Sequence, residues 1–341
     1  MATKAKQAPT RTEANAPAES LIEAVFAQVT QFWTAAPNGT GPIEVEAESG
    51  NGARVSVKIM ASTGASAPGA AGVEDDAHIL LDGDVTATFN MDGHHVIALI
   101  AELDLKQHFP NTWKKVQKVL DDGGRDVLKA ATFPDDIRFL HPETKPFHFV
   151  DIVLQDGGQM NPPVPPAPHV ISKIAEFTAT LKHGGTVQEM VDGLSWLIHL
   201  IGDIHQPLHC VTHVTPQHPA PQGDRGGNSF KLRGTPNNLH SVWDSSVSFT
   251  PVPDEGALAQ AIIQQHSRQQ LAADLQVTDL EKWARSSYNL AKQFAYGPLH
   301  ENPASPPKLT AAYLQQAEKI GRKQAALAGY RLADRLHEIF G

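Results

Sequence analysis

The chain has 341 residues, enough for one large helical domain and a smaller appendage. Its composition, 41% hydrophobic and 19% charged, is globular, and no apolar run approaches the roughly eighteen residues that a membrane-spanning helix needs. A formal net charge of -9 excludes a protein that coats nucleic acid by its own charge, although an acidic enzyme can hold phosphodiesters where bound cations supply local positive charge.

Residues 1–18 are rich in Ala, Thr and Pro and read as a disordered tail. They contain no apolar stretch of the kind a secretion signal carries. Glu19 to Ala35 reads as a helix, with Leu21, Val25, Phe26, Val29 and Phe32 on one side. IEVEAE and ARVSVKIM, separated by SGNG, alternate as a β-hairpin over Ile43–Met60. Residues 61–72 have the Gly/Ala/Ser texture of a linker, and His78 to Phe89 reads as a further strand. Residues 19–88 are therefore expected to form an α+β extension, with no evident chemistry.

From Gly93 the pattern turns helical. Helices are expected at Gly93–Leu105, Asn111–Leu120, Ile171–Leu181, Val187–Ile204, Leu258–Leu271, Thr278–Ala295 and Ala311–Phe340, with the Pro-rich stretch 161–168 between them as a loop. The fold class is mainly α, a helical bundle over residues 89–341. The single cysteine, Cys210, excludes a disulfide within the chain.

Four segments carry candidate chemistry. In GLSWLIHLIGDIHQPLH (193–209), His199 and Asp203 share one face of an apolar helix, where an aspartate is costly to bury without a cationic partner. Pro207 ends that helix, and His209 follows. NNLHSVWDSS (237–246) repeats the spacing with His240 and Asp244. FPDDIRFLHPETKPFHFVDI (133–152) contributes Asp135, Arg138 and His148, and DGHHVIALIAE (92–102) contributes His94 or His95 at a helix start. A single His-x3-Asp pair is ordinarily a surface or capped pair. Two of them with a histidine between point to zinc, which takes imidazole and carboxylate ligands in hydrolytic sites. Taken singly, His148 reads as core, Arg138 as a salt-bridge partner, Asp151 as a group orienting a histidine, and His205 as a bystander or an indirect contributor.

Together these residues resemble the trinuclear zinc nucleases of the nuclease S-one/nuclease P-one type, distant relatives of zinc phospholipase C. The resemblance covers roughly 90–341. It rests on GHHVIALIA (93–101), FPDDIR (133–138), FHFVD (147–151), LIHLIGDIHQPLH (197–209), DRGGN (224–228), NLHSVWD (238–244) and AGYRLADRL (328–336). It implies two to three Zn2+ ions: one on Asp135, His148, His199 and Asp203, a second on His209, His240 and Asp244, and a third on His94 with Asp203 shared. In the family the third ion is also chelated by an N-terminal Trp. The aligned residue here is Phe89, preceded by 88 others, so substitution by Asp92, Asn90 or His95, weakening of the site, or removal of the extension is expected.

The implied reaction is endonucleolytic hydrolysis of nucleic acid, preferentially single-stranded, to 5′-phosphorylated products, with room for 3′-nucleotidase activity. Asp135 would orient the attacking water and Arg138 would stabilise the phosphoryl oxygens. Gly226, Gly227 and Asn228 either shape a base pocket or form a plain turn. The alternatives are a phospholipase C-like phosphodiesterase and a zinc-stabilised binding protein without catalysis. A monomer is expected, with no membrane partner, and the resemblance implies an exported protein.

Overall fold

A computed structural model of the chain describes residues 43–48, 54–59, 91–138, 140–155, 157–159, 161–250 and 252–341. The chain divides into two compact units, Met1–Val85 and Thr86–Gly341. In the first, β1 (Ile43–Glu48) and β2 (Arg54–Ile59) pair antiparallel, with Ile43 opposite Ile59 and Glu48 opposite Arg54, as the alternation predicts. The expected tail, the helix 19–35, the linker and the strand 78–89 lie outside the described residues.

The second unit is built from α1 (Met91–His108), α2 (Pro110–Asp122), α3 (Val127–Ile137), α4 (Val170–His183), α5 (Val187–Asp203), α6 (Leu239–Asp244), α7 (Glu255–Gln265), α8 (Ala272–Leu275), α9 (Leu280–Leu290) and α10 (Ala311–Phe340). At its centre is α5. Its start is fixed by a capping box, in which Thr186 and Glu189 satisfy each other's backbone N–H groups. From Gly193 to Asp203 every residue is buried. A helix apolar on all sides must be surrounded, and α3 and α4 pack directly on it while α10 packs on α1.

Three elements differ from expectation. The helix over 127–137 was not anticipated, because FPDD carries a proline and two aspartates. Asp126 caps it through the Lys129 N–H, and Ala130 and Ala131 are fully buried in the core. The helix expected to reach Leu271 stops at Gln265, where His266 leaves helical geometry. The stretch to Ala295 is α9 followed by a π-turn over Ala291–Tyr296.

One short parallel pair matters for the site. β3 (Val153–Gln155) runs beside β4 (Thr212–Val214), with Val153 opposite Thr212. The ladder extends backward, since the Val150 N–H donates to the His209 carbonyl at 2.8 Å. The segment after His148 is thereby tied to the segment after His209.

Candidate metal centre

Six elements converge. His94 lies in the first turn of α1 and Asp135 in the last turn of α3. His148 ends the 3-10 turn Pro142–His148, and His199 and Asp203 occupy the last turns of α5. His209 lies on the 3-10 turn Pro207–Cys210, and α6 carries His240 and Asp244. All are buried except Asp135, which is half-buried.

The Asp203 carboxylate is central. Its Oδ2 lies 3.0 Å from His148 Nδ1 and 3.2 Å from His199 Nε2. These two nitrogens are 3.0 Å apart, and Asp135 Oδ1 lies 3.9 and 3.7 Å from them respectively. Four donor atoms bound tetrahedrally to one zinc ion would be separated by roughly 3.3 Å. The five separations, 3.0–3.9 Å, bracket that value.

A second group lies beside it. His209 Nε2 is 3.5 Å from Asp244 Oδ1, and His240 Nε2 is 3.5 Å from Asp244 Oδ2. The two imidazoles stack with centroids 5.0 Å apart. On the other side, His94 Nε2 lies 3.6 Å from Asp203 Oδ1, and its ring stacks on His199 at 3.8 Å. Gly202 makes room for that ring, because a Cβ there would lie 2.9 Å from His94 Nδ1.

The histidines are oriented from behind by backbone carbonyls. His199 Nδ1 lies 2.7 Å from the Ala131 carbonyl and His240 Nδ1 lies 2.7 Å from that of Gly226. A carbonyl only accepts, so each ring donates from Nδ1 and turns Nε2 towards the carboxylates, the nitrogen that a metal would take once it is deprotonated. His209 Nδ1 lies 3.1 Å from the His148 carbonyl. Gln206 Nε2 donates to Asp244 Oδ1 at 2.6 Å. Burial, with the neighbouring Asp224 carboxylate, pushes the Asp151 pKa up to about 6.

A cation fits between these groups. Asp135 Oδ1, His148 Nε2, Asp203 Oδ1, His209 Nε2 and Asp244 Oδ2 are buried without a hydrogen-bond partner among the described residues. Buried polar atoms left in that state are costly. Three groups of ligand-type side chains meet the spacing for an ion: His94, His199 and Asp203; Asp135, His148 and His199; and His209, His240 and Asp244. His199 appears in two of them, yet only its Nε2 is open. The site beside His94 therefore has fewer donors among the described residues than the other two.

Protonation follows the same geometry. Burial lowers the proton affinity of His199, but the Asp203 and Asp135 carboxylates outweigh it and raise the pKa to about 9. His209 is likewise lifted against burial, by Asp203 and Asp244, to about 10. Burial and the neighbouring His199 hold His94 well below its ordinary value, and burial lowers His240.

Among the residues that sequence reasoning singled out, Arg138 also lies at the site, with Nη1 3.6 Å from Asp135 Oδ1. His95 points elsewhere and pairs with Glu255 at 2.7 Å. Phe89, Asn90 and the Asp92 side chain lie outside the described residues. Trp196 and Trp243 are buried in the core, as expected. The positioning groups that the sequence did not reveal are Ala131, Gly226 and Gln206. Gly226 has φ 61°, and a Cβ would collide with the Leu208 carbonyl, so the glycine allows close approach. Only its place in DRGGN could have signalled it.

Comparison with known proteins agrees with this geometry. Nuclease S1 of Aspergillus oryzae is 29% identical over 180 residues, 48% of this chain and 54% of its own length. Endonuclease 4 of Arabidopsis thaliana is 25% identical over 280 residues, 73% of this chain and 88% of its own. Endonuclease 3 of the same plant is 26% identical over 277 residues, covering 73% and 87%. The family model described as S1/P1 Nuclease matches residues 89–341, a span that contains every converging histidine and carboxylate, and the chain therefore belongs to the S1/P1 nuclease family.

Proposed function

We propose that this protein is a zinc-dependent endonuclease that hydrolyses phosphodiester bonds of nucleic acid, favours single strands and leaves 5′-phosphate ends. The observation that carries this reading is the buried cluster in which His148 Nδ1, His199 Nε2 and Asp203 Oδ2 lie 3.0–3.2 Å apart with Asp135 Oδ1 3.7–3.9 Å from the two nitrogens, beside a second His–His–Asp set, with unsatisfied polar atoms in both.

Asp135, His148, His199 and Asp203 would hold one ion, and His209, His240 and Asp244 a second. A third would be held by His94 with the other oxygen of Asp203. When bound, zinc supplies Lewis-acid charge and acidifies water near neutral pH. That positive charge also answers how an acidic chain accommodates a polyanion.

Asp135 is the half-buried member of the set, so its carboxylate reaches the solvent side and can orient an attacking water and accept its proton. Arg138 sits beside it on the same helix end. Its guanidinium can donate to a non-bridging phosphoryl oxygen as charge develops there. A base within a duplex is stacked on its neighbours and cannot turn towards a buried centre without being unstacked, which favours an unpaired strand as substrate.

The test is cleavage of single-stranded and duplex DNA by purified, zinc-loaded protein, with a chelator-treated sample beside it. Chelator-sensitive cleavage of the single strand, with 5′-phosphate ends, is expected. Cleavage that survives complete metal removal, or ends carrying 3′-phosphate, would overturn the reading.

A further inference from the structure

Arg331, on α10, is 7% exposed, and its closest hydrogen-bond partners are a backbone carbonyl and an imidazole rather than a carboxylate. Burying a guanidinium without a carboxylate is costly, so its neighbours matter. Nη2 donates to the Asp274 carbonyl at 2.8 Å, and the guanidinium lies over the Trp283 ring at 4.7 Å. Nη1 lies 2.7 Å from His205 Nε2.

A guanidinium can only donate, so His205 Nε2 accepts, and the imidazole proton sits on Nδ1. Nδ1 then donates to the Ile201 carbonyl at 2.7 Å. That carbonyl belongs to the last turn of α5, where helical acceptors lack helical donors. The following carbonyls are satisfied as well: Gly202 by the His205 N–H, Asp203 by the Gln206 N–H, Ile204 by Ser287 Oγ and His205 by Gln324 Nε2. The helix end that bears Asp203 is thus clamped, and two of the clamps, Arg331 through His205 and Gln324 directly, come from α10. The turn that leaves the clamp carries Gln206, which holds Asp244, and then His209.

We infer that Arg331 is a positioning residue for the metal centre. Acting through His205, it fixes the angle at which Asp203 enters the site and the path of the turn to His209. It touches none of the candidate ligands itself. The inference rests on the metal-centre reading given under the proposed function.

The experiment measures zinc affinity of the full chain by competition with a chromophoric chelator, alongside the melting temperature of the metal-free form. Arg331→Met keeps the length and removes the donors. It is expected to weaken zinc binding by roughly 10- to 100-fold, the range for groups that orient metal ligands. Arg331→Lys, which retains a donor for His205, is expected to recover most of that loss. Should Arg331→Met fail to fold, His205→Leu removes both the acceptor for Arg331 and the donor to Ile201 and is expected to weaken zinc in the same way. Unchanged zinc affinity in a variant that melts lower would overturn the inference and leave Arg331 a core residue. A wild-type chain that binds no zinc would overturn the metal reading with it, so the two failures are distinguishable.

Discussion

Asp203 and Arg138 occupy the same site but do different things there, and substitutions separate them. Asp203 contacts His148, His199, His209 and His94 within 3.6 Å, so Asp203→Asn is expected to release zinc, measured as metal content after dialysis. Arg138 lies beside Asp135, with Nη1 3.6 Å from Oδ1. Arg138→Ala is expected to keep its zinc while turnover falls roughly 10²- to 10³-fold, the usual cost of losing one donor to developing charge. Zinc loss equal to that of Asp203→Asn would make Arg138 structural instead. Gly226→Ala should weaken zinc at the His240 side, because the Leu208 carbonyl blocks the added methyl and the loop must shift. The two His–Asp pairs that the structure brings together, His199 with Asp203 and His240 with Asp244, were legible in the sequence. Spacing of four residues on a helix puts a histidine and an aspartate on one face, and an aspartate amid apolar neighbours demands a cation. The carbonyls of Ala131 and Gly226 were not legible, since a backbone oxygen has no side-chain identity to read.

At the level of elements, α5 does the most positioning. Its entry is fixed by the Thr186–Glu189 capping box, far along the helix from His199 and Asp203. Thr186→Ala is expected to lower stability by about 1 kcal/mol, read by chemical denaturation, with zinc content unchanged. A change in zinc content would mean that the helix start and the metal centre move together. The helix period of α2 is strong in the sequence because apolar Trp113, Val116 and Leu120 share one buried face, and α5 shows itself instead as a long apolar run after a capping box. The α3 helix was hidden by Pro134, which a helix interior ordinarily rejects; here buried Ala130 and Ala131 and the Asp126 cap compensate. The β3–β4 pair was hidden for another reason. Three residues per strand are too few to show alternation, and only contact across 59 positions of chain reveals that Val153 faces Thr212.

For the molecule as a whole, the raised proton affinities of His199 and His209 give a pH dependence with a definite sign. Their folded pKa values, about 9 and about 10, exceed the reference value of 6.5. In the metal-free protein their contribution to stability is complete below 6.5 and is lost as pH rises through 9 and 10. Zinc requires the same rings to be neutral, so metal binding releases protons and strengthens as pH rises. The gap in melting temperature between zinc-loaded and metal-free protein is therefore expected to widen between about pH 6 and about pH 9. A gap that narrows over this range would show that these histidines are not the ligands. The two oxygens of Asp203 also face different partners, Oδ2 towards His148 and His199, and Oδ1 towards His94 and His209. Were cations bound on both sides of this one carboxylate, they would not load independently: the first would draw electron density away from the opposite oxygen and repel the next by its own charge. Successive ions would then be held less and less tightly, an anticooperative sequence in which a weak chelator would strip the centre in steps rather than all at once.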